Sequence, residues 1–248
     1  MKSILVLALT LFFGSSALAK RKIIHFVTIE APPFMSESLP DQGAGIFALK
    51  EIFKKMDYDL QVTFAPLPRS KAMALAKNEI SGFLPSTEDD IESGFALSKI
   101  VFETPWVIVE RKNHPIHWKT GKDLAKFKGG NVIGYSVRPD LKKIFDKEKI
   151  TLETAPDDAH NLLKLANKRI DYVFIDASVF RYLVASDENL KKYADQLQIN
   201  PKSVKTLGYG IAFKTDPQNQ ALMQEFNNKV NPAELTGYIE TYLKNLNH

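Results

Sequence analysis

The chain has 248 residues, of which 44% are hydrophobic, and this is ample for a core in one large domain or two small ones. Its formal net charge is +4, and lysines alternate with acidic residues, so no basic tract indicates a nucleic-acid partner. It contains no cysteine, which excludes disulfides, thiolate catalysis and every cysteine-based metal site.

The first 19 residues, MKSILVLALTLFFGSSALA, have the layout of a cleaved secretory signal. Lys2 precedes an apolar run, and the segment ends in small residues up to Ala19. A retained anchor helix is the alternative, but the apolar run is shorter than the ~20 residues that span a bilayer. The absence of cysteine excludes a lipid anchor. We therefore predict cleavage after Ala19 and, for an exported protein without disulfides, a periplasmic location.

Five elements of alternating type are predicted in the first part of the mature chain. Residues 46–56 place apolar side chains at helical spacing, and residues 58–67 alternate in the manner of a strand. The order is strand, helix, strand, helix, strand, which indicates a parallel sheet with helical crossovers. The elements are strand 22–29, helix 46–56, strand 58–67, helix 69–77 and strand 80–84.

The middle of the chain repeats this alternation, which predicts a second α/β unit. Three segments have the composition of strands, and two segments with helical spacing separate them. The strands are GNVIGYS (130–136), KITLETA (149–155) and IDYVFID (170–176), and the helices are RPDLKKIFDKE (138–148) and DDAHNLLKLANK (157–168).

Two long extended stretches, 101–113 and 204–213, are predicted to join the two units. If both stretches cross between lobes, the first lobe is discontinuous and the paired strands act as a hinge. Two helical segments separated at Asn231-Pro232 complete the chain, and Pro232 opens the second one. The predicted division is lobe one at 20–109 and 207–248, and lobe two at 110–206.

A polar residue closes a strand in each unit, Ser86 in the first and Asp176 in the second. The segments 75–86 and 165–176 align without a gap, and both consist of a helix, a short turn and a strand. In open α/β sheets, ligands bind outside the carboxyl ends of the strands. Two sheets whose ends face each other form a cleft, and this cleft is the predicted binding site.

The sequence resembles the bacterial periplasmic solute-binding proteins of family 3, the amino-acid-type receptors of ABC importers. The resemblance covers nearly the whole mature chain. It is carried, in order, by APPFMS, GAGIFALKEIFKKMDYDLQVTF, PLPRSKAMALAKNEISGFLPSTEDD and NLLKLANKRIDYVFIDASVFRYLV. It implies an α/β, two-lobed periplasmic-binding-protein fold of type II. In that fold, each lobe is a mostly parallel sheet flanked by helices, and two crossing strands join the lobes.

The resemblance also implies roles for individual residues. Phe34 is expected to pack on the ligand, and Ser86 and Thr87 to offer hydroxyl and backbone groups. Asp176 is expected to receive the ligand's amino group. The sequence departs from many amino-acid receptors at Asp90, where they carry an arginine that clamps the ligand's carboxylate.

Arg69 is a candidate for that carboxylate clamp. It follows Pro68 at a predicted helix start, where a cation opposes the helix dipole at a cost of roughly 0.3–1 kcal/mol. No acid stands three or four residues further on to compensate it. A subset of the family has an arginine in this position, and its planar donor fork suits a carboxylate. The alternative is a salt bridge to a distant acid, or simple exposure.

A second candidate anion site lies between a strand and a helix of the second unit, at Tyr135, Ser136 and Arg138. The free N–H groups of a helix start can hold an anion, and the alternative is an ordinary strand-to-helix turn. Asp176 likewise has two possible roles. It can bind an ammonium group, or it can cap the helix that starts at Ala177.

Other side chains are assigned less specifically. Tyr209, near the second crossing stretch, suits either a ligand or a core position, whereas Phe102 and Trp106 lie in a mostly apolar strand and are predicted to be core. His114 and His117 lack an acid-rich ligand set, so no metal or cofactor is predicted. GYSVR, GAGIF and GGNVIG are incomplete matches to catalytic and dinucleotide-binding motifs.

These observations favour a monomeric periplasmic solute-binding protein without catalytic activity. It would capture a small polar, carboxylate-bearing ligand by hinge closure, using Arg69 or Arg138 for the carboxylate, and pass it to the permease of an ABC importer. One alternative is an enzyme on the same scaffold, since cyclohexadienyl dehydratases resemble this family; it requires a positioned acid–base pair in the cleft. Another is a ligand-sensing protein that docks on a membrane receptor.

Overall fold

The computed structural model describes residues 21–137, 139–202 and 205–246. The predicted secretory signal, residues 1–19, and the candidate Arg138 lie outside these ranges. Within them, no helix is both long enough and apolar enough to cross a membrane.

The first part of the chain folds as the alternation of strands and helices predicts. Helix α1 buries one face, including Ile46, Leu49 and Phe53, which is the stripe that its helical spacing indicated. The elements of this first unit are β1 (Lys22–Thr28), α1 (Ala44–Lys54), β2 (Tyr58–Phe64), α2 (Leu67–Ala76), β3 (Gly82–Ser86) and β4 (Phe95–Leu97).

The second unit and the return segment also follow the predicted order. Pro232 opens the last helix, and Asp176 ends a strand, both as predicted. The elements are β5 (Phe102–Arg111), β6 (Gly129–Val132), α3 (Pro139–Glu148), β7 (Glu153–Ala155), α4 (Asp158–Ala166), β8 (Tyr172–Asp176), α5 (Ala177–Ser186), β9 (Leu197–Ile199), β10 (Lys205–Lys214), α6 (Pro217–Lys229) and α7 (Pro232–Leu246).

The strands follow one path, β2-β1-β3-β10-β5-β8-β6-β7, with β4 paired to β10 and β9 paired to β5. Strand β1 pairs in parallel with β2 and β3, and β6 pairs in parallel with β7 and β8. The carboxyl ends of each parallel set therefore meet at one edge, which is where loops can assemble a ligand site.

The two stretches predicted to cross between the units are β5 and β10. Residues 205–209 of β10 pair antiparallel with β5, and residues 210–214 pair with β3 or β4 of the first unit. Strand β5 continues from this pairing into an antiparallel pairing with β8. The two strands thus connect both parallel sets, while the division at 109/110 and 206/207 stays a prediction.

The sheet of the second unit is buried on both faces. In β8, Tyr172 and Phe174 pack into one apolar cluster with α3, whereas Val173 and Ile175 pack into the other cluster with α4 and α5. A strand covered on both faces needs a continuous apolar run, and this explains the sequence YVFI. The same packing holds the loops at the strand ends in place.

Candidate ligand-binding site

A cavity lies between the carboxyl edges of the two parallel sets, and we call it the interlobe cavity. The empty space within it, together with the open space at its mouth, is about 780 Å³. Loops after β1 and β3 line it from the first unit, loops after β6, β7 and β8 line it from the second, and the crossing strands line it between them.

Three stacked aromatic rings form one wall of the interlobe cavity. The rings of Phe34 and Phe102 are 5.3 Å apart at 21°, and those of Phe102 and Tyr209 are 5.2 Å apart at 27°. Trp106 and Tyr135 add a second aromatic pair at 6.0 Å. All five residues line the cavity. Such rings offer a flat apolar surface whose faces also attract cations.

The motif GAGIF positions Phe34. Gly43 has φ of +97°, and a Cβ atom there would lie 2.7 Å from the carbonyl oxygen of Phe34. The first N–H groups of α1 donate to the loop, with Ala44 N–H donating to Pro33 at 2.9 Å and Gly45 N–H to Phe34 at 2.8 Å. The glycine therefore permits a close approach that satisfies the helix start. The GAGIF motif therefore holds the loop that carries Phe34 and does not form a dinucleotide-binding site.

The loop after β3 contributes hydroxyl and carboxyl groups. Thr87 Oγ1 donates to Asp90 Oδ2 at 2.8 Å, and both residues line the cavity. The other oxygen of Asp90, Oδ1, is buried and has no hydrogen-bond partner among the described residues. Asp89 also lines the cavity. Ser86 is buried at the end of β3, and its side chain contacts the carbonyl of Thr87 rather than the cavity.

Asp158 enters the cavity at the start of α4. Asp157 caps this helix by accepting from His160 N–H at 2.8 Å, which leaves Asp158 in the first turn. Asp158 is 6% exposed, and its Oδ1 has no hydrogen-bond partner within the described part of the chain. Burial, followed by the negative charges of Asp176 and Asp157, raises the pKa of Asp158 to about 8.

Asp176 caps α5, which is one of the two roles predicted for it, and it also lines the cavity, while binding of an ammonium group stays a prediction. Its Oδ1 accepts from Ser178 N–H at 2.7 Å and from Val179 N–H at 3.1 Å. Burial raises its pKa to about 6, against the lowering effect of these two N–H groups and of the Arg181 charge. The cap therefore uses one carboxylate oxygen and holds the side chain at the cavity wall.

Burial and the carboxyl groups of the cavity raise the pKa values of two tyrosines, Tyr209 and Tyr135. Burial raises the pKa of Tyr209 well above its usual range, and the charges of Asp176, Asp90 and Asp158 raise it further. Tyr135 Oη donates to Asp158 Oδ2 at 3.5 Å, a long hydrogen bond, and burial raises its pKa as well. The acids of both units thus act on the same point of the crossing strand β10.

The structure brings together most of the residues predicted for the site. Three predicted residues are exceptions. Arg69 is exposed on α2 and lies outside the cavity lining, and Ser86 is not a lining residue, although its neighbours Pro85 and Thr87 are. Arg138 is outside the described residues. The predicted residues that line the cavity are Phe34, Thr87, Tyr135, Ser136, Asp176 and Tyr209. Their roles in binding stay predictions.

Several lining residues were not predicted as site residues. Phe102 and Trp106 were assigned to the core; both line the cavity, although Trp106 also packs in the second apolar cluster. Asp158 follows the carboxyl end of β7, so the rule that indicated Asp176 would have indicated it too. Nothing in the sequence distinguishes Phe102 and Trp106 from the core-facing apolar side chains of β5.

The described lining of the interlobe cavity has four acids, Asp89, Asp90, Asp158 and Asp176, and no lysine, arginine or histidine. Across the ranges that the structure describes, no group of three His, Asp or Glu side chains is arranged to hold a metal ion. A cavity with carboxylates and aromatic faces is suited to an organic cation.

Comparison with solved structures identifies the architecture. A mutant of ArgBP from T. maritima covers 90% of this chain and 95% of its own, at 22% identity and a TM-score of 0.70. An ancestral arginine-binding protein bound to arginine matches at 21% identity and a TM-score of 0.69, covering 91% of this chain and 98% of its own. The GluR0 ligand-binding core from Nostoc punctiforme, in complex with L-glutamate, matches at 17% identity and a TM-score of 0.68. That match covers 88% of this chain and 98% of its own.

The chain has the two-lobed fold of periplasmic binding proteins. The first unit with β10, α6 and α7 is the candidate for one lobe of that fold and the second unit for the other, and this division stays a prediction. No protein-family model and no curated protein matches the sequence. At these identities, the similarity establishes the binding-protein fold and leaves the ligand to be argued from the cavity.

Proposed function

We propose that this protein is a periplasmic solute-binding protein that captures a small organic molecule bearing a cationic nitrogen. The ligand would bind in the interlobe cavity, and closure of the lobes would enclose it. The observation that carries the proposal is the make-up of the lining, with four acids, five aromatic side chains and no basic side chain among its described residues.

Electrostatics support a cationic ligand. Buried carboxylates are costly unless a charge or donors compensate them, and Asp158 and Asp176 are about nine-tenths buried or more. An ammonium or guanidinium group between them would supply that compensation and form charge-assisted hydrogen bonds. The aromatic faces of Phe102 and Tyr209 would hold the rest of the molecule.

The structural neighbours support a solute-binding role. The ancestral protein was solved with arginine and the GluR0 core with L-glutamate, and each of these molecules has an ammonium group. Delivery to the permease of an ABC importer is our proposal for the next step, together with export directed by residues 1–19. A sensor that docks on a membrane receptor would use the same cavity.

The ligand's carboxylate, expected from the sequence, has less support than its cation. That expectation was based on Arg69, which is exposed and outside the lining, and on Arg138, which lies outside the described residues. Thr87 and Ser136 line the cavity and could donate to a carboxylate through their hydroxyl groups. We therefore propose a cationic group as the required feature and a carboxylate as an optional one.

A thermal-shift screen over small amines, guanidines, amino acids, dicarboxylates and neutral sugars tests the proposal. A ligand at 100 times its Kd stabilises by about 2.7 kcal/mol, which corresponds to roughly 5–11 °C in Tm for a chain of this size. We expect cationic compounds to give the largest shifts. Asp176→Asn should reduce them while keeping the helix cap, and the exposed Asp195→Asn should not. A preference for dicarboxylates or sugars would contradict the proposal.

One observation favours an enzyme as the second candidate. Asp158 and Asp176 are neighbouring carboxyl groups whose pKa values differ, about 8 and about 6, and such a pair can act as acid and base. Incubation of the best ligand with the purified protein separates the two functions. A solute-binding protein returns the ligand unchanged, whereas conversion that Asp158→Asn abolishes would establish the enzyme.

A further inference from the structure

Two residues that line the interlobe cavity, one from each unit, have a buried carboxyl oxygen without a hydrogen-bond partner among the described residues. Asp158 Oδ1 belongs to the second unit, on a side chain that is 94% buried, and Asp90 Oδ1 belongs to the loop after β3 in the first. Both residues line the cavity. Buried polar atoms in folded proteins are nearly always paired, so each of these atoms indicates a donor that the described part of the chain does not supply.

We propose that the ligand carries two cationic nitrogen groups, one bound by Asp158 with Asp176 and the other bound by Asp90. This inference rests on the proposed function and narrows it from a cation to a dication. A molecule of this class would contact both lobes through charge-assisted hydrogen bonds, and it would therefore stabilise the closed arrangement specifically.

Two cations of the described chain have contacts or charge effects at these acidic loops but do not bind the two oxygens. Lys71 Nζ binds Glu92 at 2.6 Å and the backbone carbonyl of Asp90 at 3.3 Å, so it does not reach the free Asp90 oxygen. The positive charge of Arg181 lowers the pKa of Asp176, but Arg181 is exposed and is not a lining residue. Neither side chain compensates Asp90 Oδ1 or Asp158 Oδ1 within the described structure.

Apolar and aromatic side chains line the same cavity as the two acids. Phe102 and Tyr209, on the crossing strands, stack against each other there, and Leu207 lines the same wall. This arrangement suits a ligand whose two cationic ends are separated by a hydrocarbon or flat segment. It does not suit a metal ion, because no described set of three acidic or histidine side chains can hold one.

The test compares dications with monocations of the same length by calorimetry at pH 8. The probes are unbranched diaminoalkanes of three to six carbons and 4-guanidinobutylamine, each paired with the analogue that lacks one amino group. We expect the best dication to bind at least about 30-fold more tightly than its monocationic analogue, since losing one buried charge-assisted partner typically costs this much or more.

Three variants assign the two ends. The Asp90→Asn variant should bind the dication no more than about threefold more tightly than its monocationic analogue, because the second cationic group then has no carboxylate partner. Asp158→Asn should weaken both compounds by roughly 30-fold or more. Glu88→Gln is the matched control: Glu88 is exposed on the same loop, is not a lining residue, and should change neither affinity. Melting temperatures verify that each variant folds.

The outcomes separate this inference from the proposed function. If a monocation binds wild type as tightly as its dication, or if Asp90→Asn weakens both equally, the dication inference is overturned and the cationic site remains. If none of the cationic probes binds while an anionic or neutral compound does, the proposed function fails as well. Binding of every probe below detection in both assays would also overturn both.

Discussion

Helices α2 and α4 begin at the interlobe region in opposite ways. Helix α2 has no side-chain cap and no acid in its first turn, and its Arg69 opposes the helix dipole. Helix α4 has an Asp157 cap and the acid Asp158 in its first turn, as helix starts usually have. Yet Arg69 is exposed, whereas Asp158 is buried and its Oδ1 has no hydrogen-bond partner in the described part of the chain.

We infer from this difference that burial decides which of the two residues contributes to binding. An exposed cation at a helix start costs a fraction of a kcal/mol because water screens it. A buried carboxyl without a counter-charge costs several times more. Arg69 violates a local sequence rule at little cost. Asp158 obeys the rule, and its charged form is the one that a cationic ligand would stabilise.

The first prediction, with the largest expected effect, concerns the pH dependence of cation binding. Asp158 has a pKa of about 8 without ligand, so below pH 8 it must lose a proton before it can pair with a cation. Affinity should therefore rise with pH by up to about tenfold per unit between pH 6 and 8, and then level off.

Calorimetry across this pH range measures the effect. The charged groups that act on Asp158 are Asp176 and Asp157, with Tyr135 as its hydrogen-bond partner. Asp176, with a pKa of about 6, should add a further rise at lower pH. Asp158→Asn should remove the upper part of the dependence. An affinity for a cation that stays constant from pH 6 to 8 in wild type would contradict the account.

The second prediction concerns stability without ligand. The folded protein holds a proton on Asp158 up to about pH 8, whereas the unfolded chain releases it near 3.9, so this group makes stability fall as pH rises between these values. The Asp158→Asn variant has no carboxyl group at this position, so this cause of falling stability is absent from it. Its stability relative to wild type should increase by roughly 2–3 kcal/mol from pH 4 to 6. Denaturant unfolding tests this, with the exposed Asp195→Asn as a control that should show no such increase.

The third prediction assigns α2 a role through shape instead of charge. Gly134, after β6, has φ of +86°, and a Cβ atom there would lie 2.7 Å from Pro68 of α2. Gly134→Ala should therefore hinder closure and weaken binding by about 1–2 kcal/mol, or roughly 5- to 30-fold. In α7, a Cβ atom on Gly237 would meet no described atom within 4 Å, so Gly237→Ala is the control. Equal affinities for both variants would show that this contact does not limit closure.

The fourth prediction has the smallest effect. Arg69→Gln removes the exposed cation from the start of α2 and should stabilise the protein by about 0.3–1 kcal/mol, because the unfavourable dipole interaction is lost. Chemical denaturation at low salt detects a change of this size, and added salt should reduce it. Destabilisation instead would indicate that Arg69 has a structural partner.

The fold was largely predictable because its long elements have clear periodicity. Helix α1 and strand β8 were recognisable from their apolar spacing. Strands β4 and β9 were not predicted, since three residues are too few to show alternation and each exists through pairing with β10 or β5. The site was predictable where it follows strand ends, as at Asp176. The cavity-facing Phe102 was not, because its direction depends on how the two lobes meet.

The most direct test of the account compares Asp158→Asn and Arg69→Gln in calorimetry with the cationic compound that gives the largest thermal shift. The central claim is that the buried acid, and not the exposed arginine, binds the ligand. We expect Asp158→Asn to weaken binding by roughly 30-fold or more and Arg69→Gln to change it by less than about threefold. The reverse pattern, with a large loss for Arg69→Gln and none for Asp158→Asn, would contradict the account.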